Sequence, residues 1–502
     1  MKKMIALILA LLLLVSALPL AGAAFKDEAD IDAGFVKAVA AMSDAKILSG
    51  FEDGTFGPSR LLTRAQAAKI LCVLLEGNEK ADALTKTETG FADVPATHWA
   101  AKYVAYCADK GIVAGVGAGK FDPDAKLSSG AFAKMLLVAY GKDGSKFTGS
   151  EWLKNVQAAA ETTFYNYHLE KGLTNDPILR QEAAQLAFNA KFQAEADADK
   201  AKGDPRTYTP SVPETMKLFI IGHSYGNDCT IGYLYQMLKD VGVKDLVVGI
   251  LYYSGCPYPK HMDFALQDSP VYKYYCYKNT TKMVTKTKTT FDKSFADEDW
   301  THVIMLPGFI GSEKDLAPCP WQDLVFNYAR KTRPNAWYGY LLTWSLRTDG
   351  NYTESHKNSL NKYHGGDVNK MWDGLVGLAK KYADPEPRFK YIIPAGSAVL
   401  NARSSFIGNG IHRDNMSHLN KGIGRYIAAM TVCCAITGVK PEQIKYVPTT
   451  LAADKKDYQI PGVDYAAPTL QETLLKIAHE SVTNALAKPY EVTQSQFTTV
   501  PK

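Results

Sequence analysis

Long hydrophobic runs are nearly missing from this 502-residue chain once its first two dozen residues are passed. No later segment reaches the ~20 consecutive apolar residues that a membrane helix needs, so no span is expected after the N-terminal run. Strong charge of one sign is missing too. The formal net charge is +5, with acids and bases mixed along the chain, too mild and dispersed for a nucleic-acid partner. Cysteine is sparse and unpatterned. The eight cysteines form no C-x-x-C pair, which removes the common structural-metal signatures. Cys229, Cys256, Cys276 and Cys319 fall in one region and are open to two readings, disulfide pairing or buried free thiols. Three N-x-S/T sequons, at Asn279, Asn351 and Asn415, are read as chance occurrences.

What is present begins at the N-terminus. Lys2 and Lys3 precede an apolar run over 4–20, and Ala21-Gly22-Ala23 follows as a small-x-small site. This is the order of a cleavable signal peptide, expected over 1–24, and it makes the chain an exported protein. No cysteine sits at the cleavage site, so a lipid anchor is not expected. Residues 25–200 are Ala-rich and helical in pattern. Residues 201–215 carry three prolines and no apolar run, the composition of a linker. Over 216–450 strand-like apolar runs alternate with amphipathic stretches, an α/β pattern. Residues 451–502 form a polar extension with one helical stretch near 469–486.

The helical region repeats itself. Phe51-Glu52-Asp53-Gly54-Thr55-Phe56-Gly57-Pro58 precedes Leu62-Thr63-Arg64-Ala65-Gln66, and Gly90-Phe91-Ala92-Asp93-Val94 leads to His98-Trp99-Ala100. Lys120-Phe121-Asp122-Pro123 then precedes Ser128-Ser129-Gly130-Ala131, and Leu179-Arg180-Gln181-Glu182 comes last. The first string is turn chemistry. Thr63 and Gln66 have the spacing of a capping box at a helix start. These strings resemble S-layer homology modules, with three expected over about 30–195. The resemblance implies attachment to secondary cell wall polysaccharide, Arg64 pairing with an anionic sugar and Trp99 lining a groove. It implies a secreted protein held on the bacterial cell wall or S-layer.

The second region carries candidate chemistry. The run Lys217–Ile221 ends in Gly222-His223-Ser224-Tyr225-Gly226-Asn227-Asp228, with a helical pattern beyond. A serine between a parallel strand and a helix N-terminus sits where α/β sheets bind ligands and where backbone N–H groups can hold an oxyanion. A second run, Leu246–Tyr253, ends in Ser254-Gly255-Cys256. Ile393-Pro394-Ala395-Gly396 leads on to Arg413-Asp414-Asn415-Met416-Ser417-His418 and Gly422-Ile423-Gly424-Arg425-Tyr426. A nucleophile, a backbone donor and a late acid and base are the parts of covalent hydrolysis.

With His261, Asp299-Trp300-Thr301-His302-Val303 and Thr343-Trp344-Ser345, these blocks resemble the SGNH (GDSL-like) hydrolases, in the branch called domain of unknown function 4886. The resemblance implies a three-layer, flavodoxin-like α/β fold. It makes Ser224 the nucleophile, His418 the base and Asp414 its orienter, with the Ser224 and Gly255 N–H groups in the oxyanion hole. The implied reaction is ester hydrolysis on acylated carbohydrate, with no metal or organic cofactor. Two departures stand out. Asp414 precedes His418 by four positions rather than three, and Pro307 occupies the place of an Asn or Gln donor. They leave an alternative expectation, a non-catalytic carbohydrate-binding or structural envelope protein on the same fold. His302 is expected as a core histidine, the aromatics of 319–344 as packing residues, and the Lys/Thr-rich stretch 278–293 as a solvated surface insertion.

Overall fold

The computed structural model describes residues 25–164, 169, 171–308, 321–413, 417–448, 460, 463 and 471–500. It divides into two compact units, Met1–Ala201 and Lys202–Lys502.

The first unit is helical, and three similar helix starts organise it. The helix Arg64–Glu76 opens on Thr63, whose hydroxyl accepts from the Gln66 N–H while the Gln66 side chain accepts from the Thr63 N–H. That reciprocal cap satisfies two donors the helix cannot. The helix Ser129–Ala139 is capped by Ser128. Ahead of the helix Arg180–Lys202, the Glu182 carboxylate accepts from the Leu179 N–H. The segments before these helices close on one another. The Leu62 N–H donates to Ile178 O, Ile178 to Leu127 O, and Leu127 to Leu62 O. The result is a three-membered ring of backbone pairing around an apolar core that includes Leu62, Leu127 and Ile178.

Side chains repeat the ring. The Arg64 guanidinium donates to Phe121 O and Ala114 O, both at 2.8 Å. Arg180, in the corresponding place, donates to Phe56 O and Ser49 O at 3.0 Å. Where the middle helix start lacks the arginine, Ser129 Oγ contacts Thr174 instead. Asp27 and Asp93 repeat as well. Each carboxylate spans two successive turn N–H groups, Phe56 and Gly57 or Phe121 and Asp122.

The second unit is a seven-stranded sheet in the order β4-β3-β2-β1-β5-β6-β7. The strands are β1 (Thr215–Gly222), β2 (Asp245–Tyr252), β3 (Tyr272–Lys278), β4 (Val284–Thr289), β5 (His302–Met305), β6 (Trp337–Leu341) and β7 (Phe389–Ile393). The β2-β1-β5-β6-β7 neighbours are parallel. Counted among themselves they run 2-1-3-4-5, the flavodoxin-like winding. Continuous burial along β1, β2 and β5 means that both sheet faces are covered, so the domain has three layers. The expected α/β class holds.

The edge hairpin β3–β4 is antiparallel. Its outer strand holds the exposed lysines of the 278–293 stretch, a composition that discourages further strand pairing. His302 is buried at the start of β5, between the Tyr208 and Thr301 hydroxyls. Residues 204–208, read as linker from their prolines, lie on this unit. Arg206 pairs with Asp204 and donates to Asn335 O, and the Tyr208 hydroxyl donates to Ile436 O. The helix Glu472–Ala487 packs on the helices Ala395–Arg403 and Ile423–Thr437. Cys229, Cys256 and Cys276 are buried free thiols, and Cys319 lies outside the described residues.

Candidate active site

Strand β1 delivers the candidate nucleophile to the carboxyl edge of the sheet, beside β5, where the winding changes direction. Such a switch point opens a crevice. Gly222 makes the close approach possible, since a Cβ there would stand 2.8 Å from the Leu306 side chain. Ser224 is the first residue of the helix Ser224–Thr230, so its N–H has no acceptor within the helix. His223 is wholly buried. Its Nε2 lies 3.0 Å from Pro307 O, and its Nδ1 accepts from the Tyr225 N–H. A carbonyl on one nitrogen and an N–H on the other fix the neutral Nε2–H tautomer. Burial pushes its pKa down to about 4 against the Pro307 hydrogen bond. The Pro307 backbone thus supports the residue beside Ser224, in the place where the resemblance leads one to expect a side-chain donor.

Four residues on, Asp228 shares a helix face with Ser224. Its Oδ2 accepts from His418 Nδ1 at 3.1 Å and from the Leu419 N–H at 3.0 Å. Its Oδ1 lies 2.8 Å from an Arg425 nitrogen. Burial works to raise the Asp228 carboxyl, but the His418 hydrogen bond and the Arg425 charge outweigh it, and the pKa ends below the usual value. The group is therefore a carboxylate, hydrogen-bonded through Oδ2 and ion-paired through Oδ1. Because His418 Nδ1 faces Asp228, Nε2 is left as its basic nitrogen.

His418 is held from behind as well. Its backbone carbonyl accepts from the Arg413 N–H, and His412 bridges to Leu419. The Trp344 indole N–H donates to Ser417 O at 2.7 Å. The Trp344 ring stacks on Tyr225 at 4.3 Å, and Tyr225 meets the His418 imidazole edge-on. Trp344, Tyr338 and Tyr340 are buried, so these aromatics serve packing and support.

Gly255 ends the turn after β2 with φ of 59°, left-handed backbone that favours glycine. Its strand pairs with β1 up to Gly222–Tyr252. His261 is buried next to Tyr272, with its pKa pushed down to about 3 by burial, and a neutral buried imidazole is a packing group. Asp414 lies outside the described residues. Reading along the sequence missed Asp228. The signal available was the four-residue spacing from Ser224, which places both on one helix face. In the first unit Arg64 is engaged by two backbone carbonyls, and Trp99 is 53% exposed and stacked on His98.

Comparison with known proteins follows the same division. The family described as "Domain of unknown function (DUF4886)" matches residues 217–461, and the S-layer homology domain matches 24–68 and 90–133. A cell surface protein of Thermoanaerobacter kivui is 32% identical over 143 residues, 28% of this chain and 19% of that protein. An uncharacterized cell wall amidase of Bacillus anthracis is 31% identical, over 32% of this chain and 30% of its own length. A surface-layer 125 kDa protein of Lysinibacillus sphaericus is 31% identical, over 33% of this chain and 15% of its own. The chain thus spans less than a third of each of these three relatives. Among solved structures, a DUF4886 family protein from Bacteroides uniformis is 26% identical with a TM-score of 0.46, covering 56% of this chain and 98% of that one.

Proposed function

We propose, from the match of residues 24–68 and 90–133 to the S-layer homology domain and of residues 217–461 to the DUF4886 family, that this wall-attached protein is a serine esterase or deacylase acting on acylated carbohydrate. The S-layer homology domains account for attachment to the cell wall. Secondary cell wall polysaccharide is their general partner. For the chemistry, one observation carries the reading: the Asp228 carboxylate on His418 Nδ1, one helical turn from Ser224.

In this mechanism His418 Nε2 takes the proton of Ser224 Oγ as the oxygen attacks the acyl carbonyl. Asp228 stabilises the imidazolium that forms. The Ser224 and Gly255 N–H groups receive the oxyanion. The imidazolium then protonates the departing sugar oxygen, and water attacks the acyl-enzyme by the same base to release the acid and restore Ser224. Asp228 replaces Asp414 as the orienter in this assignment. A wall-attached hydrolase meets acylated wall glycan at high local concentration, which favours that substrate class.

The test is hydrolysis of a small activated acetate ester by the full chain and by Ser224→Ala. Loss of about 10³-fold or more in kcat is expected for the variant. Equal rates in the two proteins would remove the esterase.

A further inference from the structure

We propose that Arg425 is a positioning residue of this site, acting on His418 through Asp228. The inference rests on the hydrolytic reading above, but its physical core, a three-membered relay of charge, is measurable without any substrate.

The relay joins three elements. Asp228 stands on the helix Ser224–Thr230, His418 on the loop that follows the bridge at His412, and Arg425 on the helix Ile423–Thr437. The Asp228 side chain is 1% exposed and that of Arg425 12%, so their attraction is little screened by solvent. Asp228 is the one carboxylate within ion-pair distance of Arg425 among the described residues. The Arg425 backbone N–H is itself tied to Asn420 O. The guanidinium meets Asp228 Oδ1 as an ion pair rather than through an aligned hydrogen bond, and that attraction favours the carboxylate orientation that keeps Oδ2 on His418 Nδ1. The positive charge also withdraws part of the negative potential that His418 feels.

Among the described residues, His223, Cys229, Tyr225 and Tyr277 also face this cluster, Tyr277 through its coupling to the Arg425 charge. His223 stands beside it, neutral through burial. Cys229 lies next to Asp228, with burial holding its thiol far above the usual range. Tyr225 presents its ring to His418. None of these carries charge near neutral pH, so among the described residues Asp228 and Arg425 set the potential at the imidazole.

Two variants of the full chain separate the geometric from the electrostatic part. Arg425→Gln removes the charge. The midpoint of His418 protonation, followed by NMR of labelled histidine, rises by about 0.5–1 pH unit. The acid limb of ester hydrolysis rises with it. Arg425→Lys keeps the charge but loses the planar fork. The midpoint then stays within about 0.3 pH unit of the parent, while kcat falls about three- to tenfold and the downfield Nδ1–H resonance of His418 shifts. An unmoved midpoint in a folded Arg425→Gln chain overturns the relay. Should that variant not fold, a parental kcat and an unmoved Nδ1–H resonance in Arg425→Lys overturn it. Failure of the esterase reading is told apart from this, since it removes the hydrolysis curve and leaves the histidine titration to decide.

Discussion

At the residue scale the site turns on which carboxylate serves His418. Sequence order favours Asp414, four positions away. Geometry puts the buried Asp228 on Nδ1, although 190 residues separate the pair. Replacing Asp228 by Asn keeps the shape and removes the charge, so the imidazolium formed during attack loses its counter-ion and the tautomer is no longer enforced. We predict a fall of about 10²–10⁴ in kcat with little change in KM. Asp414→Asn should stay within about threefold of the parent, because Asp228 already occupies His418 Nδ1 and serves as orienter in the proposed mechanism. Steady-state kinetics on an activated ester compares the two. A collapse in Asp414→Asn with a mild Asp228→Asn would return the role to the nearer residue. Asp228 could be named from sequence only as a helix-face neighbour of Ser224. Its contacts with His418, Leu419 and Arg425 come from a segment that folding brings back across the sheet.

At the scale of elements, local signals were read well and remote ones were not. The Thr63–Gln66 cap and the strand-turn-helix around Gly222–Asp228 are decided within a few residues, and both stand in the structure. The prolines of 203–215 point to a linker just as locally. Yet Tyr208 and Arg206 find partners in β5, β6 and β7 that no neighbouring residue announces. The same holds for Gly396, whose role lies in a contact between elements. A Cβ on it would stand 2.1 Å from the Thr343 carbonyl oxygen and 2.8 Å from the Trp372 ring. The oxygen belongs to the backbone leaving β6, so it cannot swing aside as a side-chain tip does. Gly396→Ala should therefore destabilise the second unit by about 1–3 kcal/mol. It should also lower ester turnover, because Thr343 precedes the Trp344 that anchors Ser417 and stacks on Tyr225. Urea unfolding and kcat, measured on one preparation, check both halves. Unchanged stability would mean that the two segments part without cost.

At the scale of the whole molecule, anchoring and chemistry draw on different residues. The proposed hydrolytic cluster spans Gly222 to Arg425, whereas the ring of helix starts closes through Leu62, Leu127 and Ile178. The third helix start was legible only as Leu179-Arg180-Gln181-Glu182. Its arginine nevertheless completes the ring. Arg180 is buried, donates to Phe56 O and Ser49 O, and lies over the Phe51 and Phe56 rings. Burial lowers its pKa to about 10, still far above neutrality, so the guanidinium stays charged and its carbonyl partners are what hold it. Arg180→Ala leaves those carbonyls without their donor and opens a cavity between two rings. We expect the first unit to lose about 3 kcal/mol or more, and binding to isolated cell walls to fall with it. Ester hydrolysis should not change, because the partners of Arg180 named here, Ser49, Phe51 and Phe56, all belong to the first unit. Arg64→Ala should cost less, because its outer nitrogen is solvent-exposed and water can replace it at Ala114 O. Thermal unfolding, sedimentation with purified walls and ester turnover on the same two variants decide the matter. Full wall binding by Arg180→Ala would show that attachment does not need the closed ring.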